Sequence, residues 1–211
     1  MKALFLNDLI VLRRTLVYMM VFLAVYAMVF TSLIGPEFIS GFILVLIAML
    51  VTSSVVADDA VKWPMYVLTM PVTRRQMVRE KYLLMLLFSV AGVAFSGLYS
   101  AAAGLLQGNF DPGVSAMLIG LVLGFSLLIN SVLLPVLLFF GGERAKYLML
   151  AVYGIPVMVF AVLGGAGLLN APLAWMEAHW ALAVLGVLAI GCAAFAVSYL
   201  VSQRLYRKKE W

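Results

Sequence analysis

The sequence predicts an all-α integral membrane protein, a single transmembrane domain over residues 1–211 with six spanning helices and both termini in the cytosol. Three observations predict it. Hydrophobic residues make up 66% of the 211 and charged residues only 11%, whereas soluble domains average about 45–50% and about 25%. The mean hydropathy is +1.15. The few charges are clumped, so that six charge-free apolar stretches lie between them, each near the ~20 residues a helix needs to cross a bilayer. Finally, all 14 Lys and Arg fall on one side of the resulting topology.

The six stretches are residues 15–33, 38–57, 83–106, 114–140, 148–169 and 181–202. The first is too long for the apolar region of a signal peptide and has no small-residue cleavage site after it. Lys2, Arg13 and Arg14 precede the first span. Lys62, Arg74, Arg75, Arg79 and Lys81 lie between spans two and three. Arg144 and Lys146 lie between four and five, and Arg204, Arg207, Lys208 and Lys209 follow span six. Basic residues accumulate in cytoplasmic loops, which sets the orientation. The opposite loops, 34–37, 107–113 and 170–180, are short and carry only Glu37, Asp111 and Glu177. Trp175 and Trp180 suit an aromatic belt at the interface. Gly164, Gly165, Gly167 and Pro172 leave open a re-entrant end to span five.

Composition also excludes functions. A lone cysteine, Cys192, forbids an intrachain disulfide. A single histidine, His179, excludes a multi-histidine metal centre, and no metal site is expected. The net charge of +5 reflects loop bias in a membrane protein, so nucleic acid is not an expected partner. No Gly-x-x-x-x-Gly-Lys-Ser/Thr stretch occurs, so the chain has no P-loop of its own. No ionisable residue falls inside a span, which disfavours ion-coupled transport and charged-ring channels.

The segment between spans two and three, residues 58–82, carries the most information. Asp58 and Lys62 stand four apart in the favourable helical order, so span two is expected to continue as a helix held by that pair. Pro64 disfavours a helical Trp63 and predicts a break there. Residues 65–70 can form one or two turns before Pro71. Thr73 with Gln76 reads as a capping box that starts the helix of span three. The expected product is helix, short crosswise helix, helix. The short piece presents Trp63, Tyr66, Val67 and Met70, which fit either an anchor in the lipid headgroups or a protein interface. Arg74 and Arg75 fall in a first helical turn, where the dipole disfavours cations; lipid phosphates or an acidic face of another protein would offset this, and loop bias alone also explains basic residues here.

This segment carries a family resemblance. The run Asp58-Asp59-x-x-Lys62-Trp63-x-x-Tyr66-x-Leu68-x-Met70-Pro71-Val72-Thr73-Arg74-Arg75, followed by Val78 and Lys81-Tyr82, resembles the membrane subunits of bacterial type 2 ATP-binding-cassette (ABC) transporters. The start, Met1-Lys2-Ala3-Leu4 with Asp8-Leu9, is similar to that family as well. Pro64 departs from it, standing where an acidic residue is usual. The resemblance implies an exporter permease in the bacterial cytoplasmic membrane that pairs with a second permease copy or a paralogue. It implies a separate ABC ATPase that holds ATP and Mg, no enzymatic activity in this chain, and an N-terminal interfacial helix over residues 1–14. It makes residues 58–82 the coupling segment, with Trp63, Tyr66, Met70, Arg74 and Arg75 as ATPase contacts.

Within the spans the polar content is mild. Ser89, Gly92, Ser96, Tyr99 and Ala103 share one face of span three. Gly120, Gly124 and Ser131 share one of span four. Close helix packing through small residues explains such stripes first. A weakly polar translocation path is the other reading, with Ser96, Tyr99, Asn130 and Ser131 as its candidates. Short external loops favour export over import, and charge-free spans favour a hydrophobic or amphipathic cargo: a peptide, a lipid-like compound or a drug. Two other readings compete. One is a membrane-embedded enzyme using Asp58 and Asp59, with few catalytic groups to support it. The other is a non-catalytic membrane adaptor.

Overall fold

The computed structural model describes residues 2–67, 69, 72–108, 111–168, 176 and 178–208, with the side chains at 2–5, 32–34, 142–146, 148, 157, 160 and 208 left aside. Every regular element among them is helical. In chain order these are α1 (Lys2–Ile34), α2 (Pro36–Ala48), α3 (Leu50–Ala60), α4 (Trp63–Val67), α5 (Arg74–Gln107), α6 (Pro112–Phe140), α7 (Gly142–Gly165) and α8 (Trp180–Lys208).

Five stretches are long and apolar enough to cross a membrane: Leu6–Thr31, Pro36–Ala60, Arg74–Gln107, Pro112–Phe140 and Trp180–Arg207. The apolar part of α7, Met149–Gly165, is shorter. Gly167 follows it with φ +72, and the rest of the region where a re-entrant end was expected lies outside the described residues, as does Trp175.

α2 and α3 form one apolar rod. The amide of Met49 donates to Val45 O at 3.0 Å and that of Ser53 to Met49 O at 3.3 Å, so the helical path runs through the junction. This rod is the stem of the bundle, 67% buried along its most apolar window against 11% for α1 and 17% for α8. Its Ile39, Ile47, Leu50 and Val51 share one core cluster with Leu84 and Met85 of α5 and Leu133, Leu134 and Leu137 of α6. α6 and α8 pack most intimately of all. A Cβ on Gly124 would stand 2.6 Å from Val187 Cγ1 and 3.2 Å from the Val187 carbonyl oxygen. The small-residue stripe of span four is therefore a packing seam.

The helix ends follow local chemistry. Asp111 caps α6, its carboxylate accepting from the amides of Gly113 at 2.8 Å and Val114 at 3.2 Å, with Pro112 in the first turn. α6 and α7 meet at Gly141, whose φ of +81 suits glycine. A Cβ there would lie 2.8 Å from Asp59 Oδ2.

The structure corrects one expectation about the N-terminus. No separate interfacial helix covers residues 2–14, because α1 runs unbroken for 33 residues. At 1.5 Å per residue that is about 50 Å, well beyond a ~30 Å hydrocarbon core. The stretch lacks Pro and Gly, so nothing in it stops the helix.

Candidate functional site

The site is built where α3 turns through α4 into α5. Ala60 ends α3, and Lys62 takes φ +52, a left-handed conformation uncommon for a residue with a side chain. Its amide donates to Asp59 O at 3.0 Å, and its carbonyl accepts from the Met65 amide at 3.1 Å. The chain thus breaks at Val61 and Lys62, earlier than expected. Pro64 lies in the first turn of α4, where its missing N–H costs nothing, so it starts a helix instead of stopping one. Trp63 is helical after all.

One side of α4 is fastened and the other is free. Val67 is fully buried, and half-buried Trp63 packs against the core. Tyr66 is 69% exposed and Met65 44% exposed, with Val61 exposed beside them. Met70 lies outside the described residues. The helix that follows is capped as its residues require. Gln76 N donates to Thr73 Oγ1 at 3.4 Å, and Thr73 N donates to Gln76 Oε1 at 2.9 Å, a reciprocal capping box.

The two arginines of this first turn part ways. Arg74 Nη1 donates to the carbonyls of Arg207 at 3.1 Å and Tyr206 at 3.4 Å, near the C-terminal end of α8. The negative pole of α8 is therefore the anionic partner that compensates a cation at the positive pole of α5. Arg75 is exposed, as is Arg79 one turn further on. Of the residues expected to contact an ATPase, Tyr66 and Arg75 point outward, while Trp63 and Arg74 hold the corner to the bundle.

Beneath the corner lies a feature that sequence spacing misassigned. Asp58 does not bind Lys62; it pairs with Lys81, with Oδ2 2.5 Å from Nζ. The same ammonium donates to Asp8 Oδ2 of α1 at 2.6 Å and Ser54 Oγ of α3 at 2.8 Å. Glu80 Oε2 stands 3.7 Å away. Asp8, Asp58, Glu80 and Lys81 are only 2%, 8%, 4% and 6% exposed. The i,i+4 rule is local, and a buried ammonium on another helix outcompetes an exposed one. A cavity of about 40 Å³ adjoins the cluster, lined by Asp58, Asp59, Trp63, Glu80, Lys81 and Tyr206 among others. Glu80 Oε1 is buried there without a hydrogen-bond partner. Among the described residues, no group of three or more His, Cys, Asp or Glu is placed to hold a metal ion.

The candidate path residues bond to different neighbours. Ser96 Oγ donates to Ser40 O of α2 at 2.7 Å. The Tyr99 hydroxyl meets Thr31 Oγ1 of α1 at 2.5 Å. Asn130 Nδ2 and Ser131 Oγ donate back within α6, to Ser126 O at 2.9 Å and Leu127 O at 2.6 Å. Tyr99 also lines an apolar cleft of about 180 Å³ between α1, α2 and α5, with Met20, Leu23, Ile43 and Phe95. Thr52 Oγ1, Ser89 Oγ, Asn130 Oδ1 and Tyr153 Oη are buried without partners, one each from α3, α5, α6 and α7.

Comparison with known proteins decides what this architecture belongs to. Residues 3–207 match the family model described as ABC-2 family transporter protein. The chain belongs to the ABC-2 transporter family. No curated protein and no solved structure matches it. As an ABC-2 protein it is a multi-pass membrane subunit of a transporter, a permease. ABC-2 permeases generally work with a separate ATPase subunit.

Proposed function

We propose that this ABC-2 permease is the membrane half of a bacterial exporter, driven from the cytosol by a separate ABC ATPase docked on α4. α7 completes six spans, both termini are cytosolic, and the membrane is the bacterial cytoplasmic one. ATP and Mg belong to the ATPase. A second permease, identical or paralogous, completes the transporter.

The observation that carries this reading is the exposed face of α4. A five-residue helix is set between two long helices, with its inner face packed and with Met65 and Tyr66 turned outward. Exposed Arg75 and Arg79 add a basic flank. Tyr, Met and Arg are enriched in interfaces. The cargo is hydrophobic or amphipathic. The 180 Å³ cleft is apolar apart from Tyr99, and the polar atoms left open inside the bundle are three hydroxyls, one amide oxygen and, beneath the α4 corner, the Glu80 carboxyl oxygen.

Co-expression with the cognate ATPase tests the docking. Met65→Ala with Tyr66→Ala is expected to reduce co-purification in detergent by about tenfold or more, since two aromatic or methionine anchors each contribute on the order of 1 kcal/mol. Membrane insertion and thermal stability should stay unchanged. Normal co-purification with impaired insertion would assign α4 to lipid anchoring instead. For the cargo, lipophilic drugs or amphipathic peptides should stimulate ATP hydrolysis in liposomes holding both subunits. Stimulation by small polar ions or sugars alone would refute that part.

A further inference from the structure

Three carboxylates surround one ammonium at the junction of α1, α3 and α5, and their positions are unequal. Asp8 and Asp58 bring in two other helices, whereas Glu80 sits beside Lys81 on α5 itself. α1 is the most weakly embedded of the five apolar spans, 11% buried along its most apolar window. Its polar fastenings to the rest of the bundle include one near each end. Thr31 meets Tyr99 toward its C-terminal end, and Asp8 meets Lys81 near its N-terminal end. Lys81 also holds Asp58, two residues before α3 ends and the α4 corner begins. One buried ammonium therefore ties the weakly embedded α1 to the element that bears the outward face of α4.

We propose that Lys81 is a positioning residue that makes α1 and the α4 corner move as one body, so that displacement of the corner by the ATPase reaches α1 through the Asp8–Lys81–Asp58 joint. This rests on the docking reading above. Packed elements shift as rigid bodies when their joints hold, and a short buried ion pair resists separation because parting it leaves charge without compensation. The surplus of acid has a consequence. Removing Asp8 leaves Lys81 with Asp58 and Glu80, so the ammonium is not stranded and the fold survives. Asp8→Leu thus cuts the link between helices, while Glu80→Gln changes the carboxyl of the same cluster that stands 3.7 Å from the ammonium and leaves the 2.6 Å Asp8–Lys81 pair intact.

The test uses the permease–ATPase complex in nanodiscs, in a Cys192→Ala background, with spin labels at exposed Ile10 of α1 and exposed Arg204 of α8. The distance distribution is read without nucleotide and with ATP plus vanadate. The expected result is a nucleotide-dependent shift in the parent and in Glu80→Gln, loss of the shift in Asp8→Leu, and its return in Asp8→Glu. ATPase co-purification and hydrolysis should be kept in all four. A shift that survives in Asp8→Leu, or that Glu80→Gln loses equally, overturns the joint while leaving docking intact. Failure of the parent permease to bind the ATPase overturns docking and the joint together.

Discussion

Arg74 and Arg75 share a charge and a helical turn, and the structure gives them different work. Arg74 ties the start of α5 to the last carbonyls of α8, so Arg74→Ala is expected to lower thermal stability by about 1 kcal/mol. Arg75→Ala should change stability by less than about 0.5 kcal/mol and act on ATPase binding instead. Thermal denaturation in detergent separates the two. The sequence points to lipid phosphates, another protein or loop bias for a cation in this turn. It does not show the α8 carbonyls, because they lie more than 130 residues away along the chain and no local spacing encodes them. Lys81 was hidden for a related reason. Its neighbours in sequence suggest a basic loop, and only the tertiary meeting of α1, α3 and α5 makes it a buried hub. Lys81→Met leaves carboxylates buried without their cation and should destabilise the chain by about 3–5 kcal/mol. Asp8→Asn, which leaves an acidic partner for the ammonium, should cost far less in the same measurement.

At the scale of elements, what depends on a few adjacent residues was legible. The capping box at Thr73 and the small-residue stripes stand in the structure where spacing put them, and span two continues as a helix past residue 57, though it stops at Ala60 and without the Asp58–Lys62 pair. Pro64 misled because a proline can end one helix or begin the next, and the preceding residue does not decide between them. The candidate path was the least legible part. Ser96 and Tyr99 share a helical face, yet one serves α2 and the other α1, since a face of one helix spans more than one neighbour. The α6–α8 seam permits a sharp test. Gly124→Ala pushes a methyl into the Val187 side chain and backbone and should cost about 1–3 kcal/mol. Gly186→Ala, with no atom within 4 Å of the added carbon, should be neutral. Equal losses in thermal stability for the two would mean that α6 and α8 do not pack this closely.

The whole molecule is a stem of α2 and α3 clasped by α5 and α6, with α8 locked onto α6 and α1 held loosely at the edge. Its overall class follows from composition alone, because 11% charge cannot solvate a surface in water. The orientation proposed for it rests on the one-sided basic residues. In cells lacking Cys192, a cysteine at His179 should react with an impermeant thiol reagent added outside, and a cysteine at Lys208 should not; the reverse pattern would invert the topology. The central claim joins that topology to energy supply: the exposed face of α4 meets the ATPase. Photo-crosslinking in intact membranes tests it most directly, with the crosslinker placed in turn at Tyr66 and at Leu106, which is 89% exposed near the opposite end of α5. The account predicts a crosslink to the ATPase from Tyr66 and none from Leu106. Adducts from Leu106, or from Tyr66 to lipid alone, would contradict it.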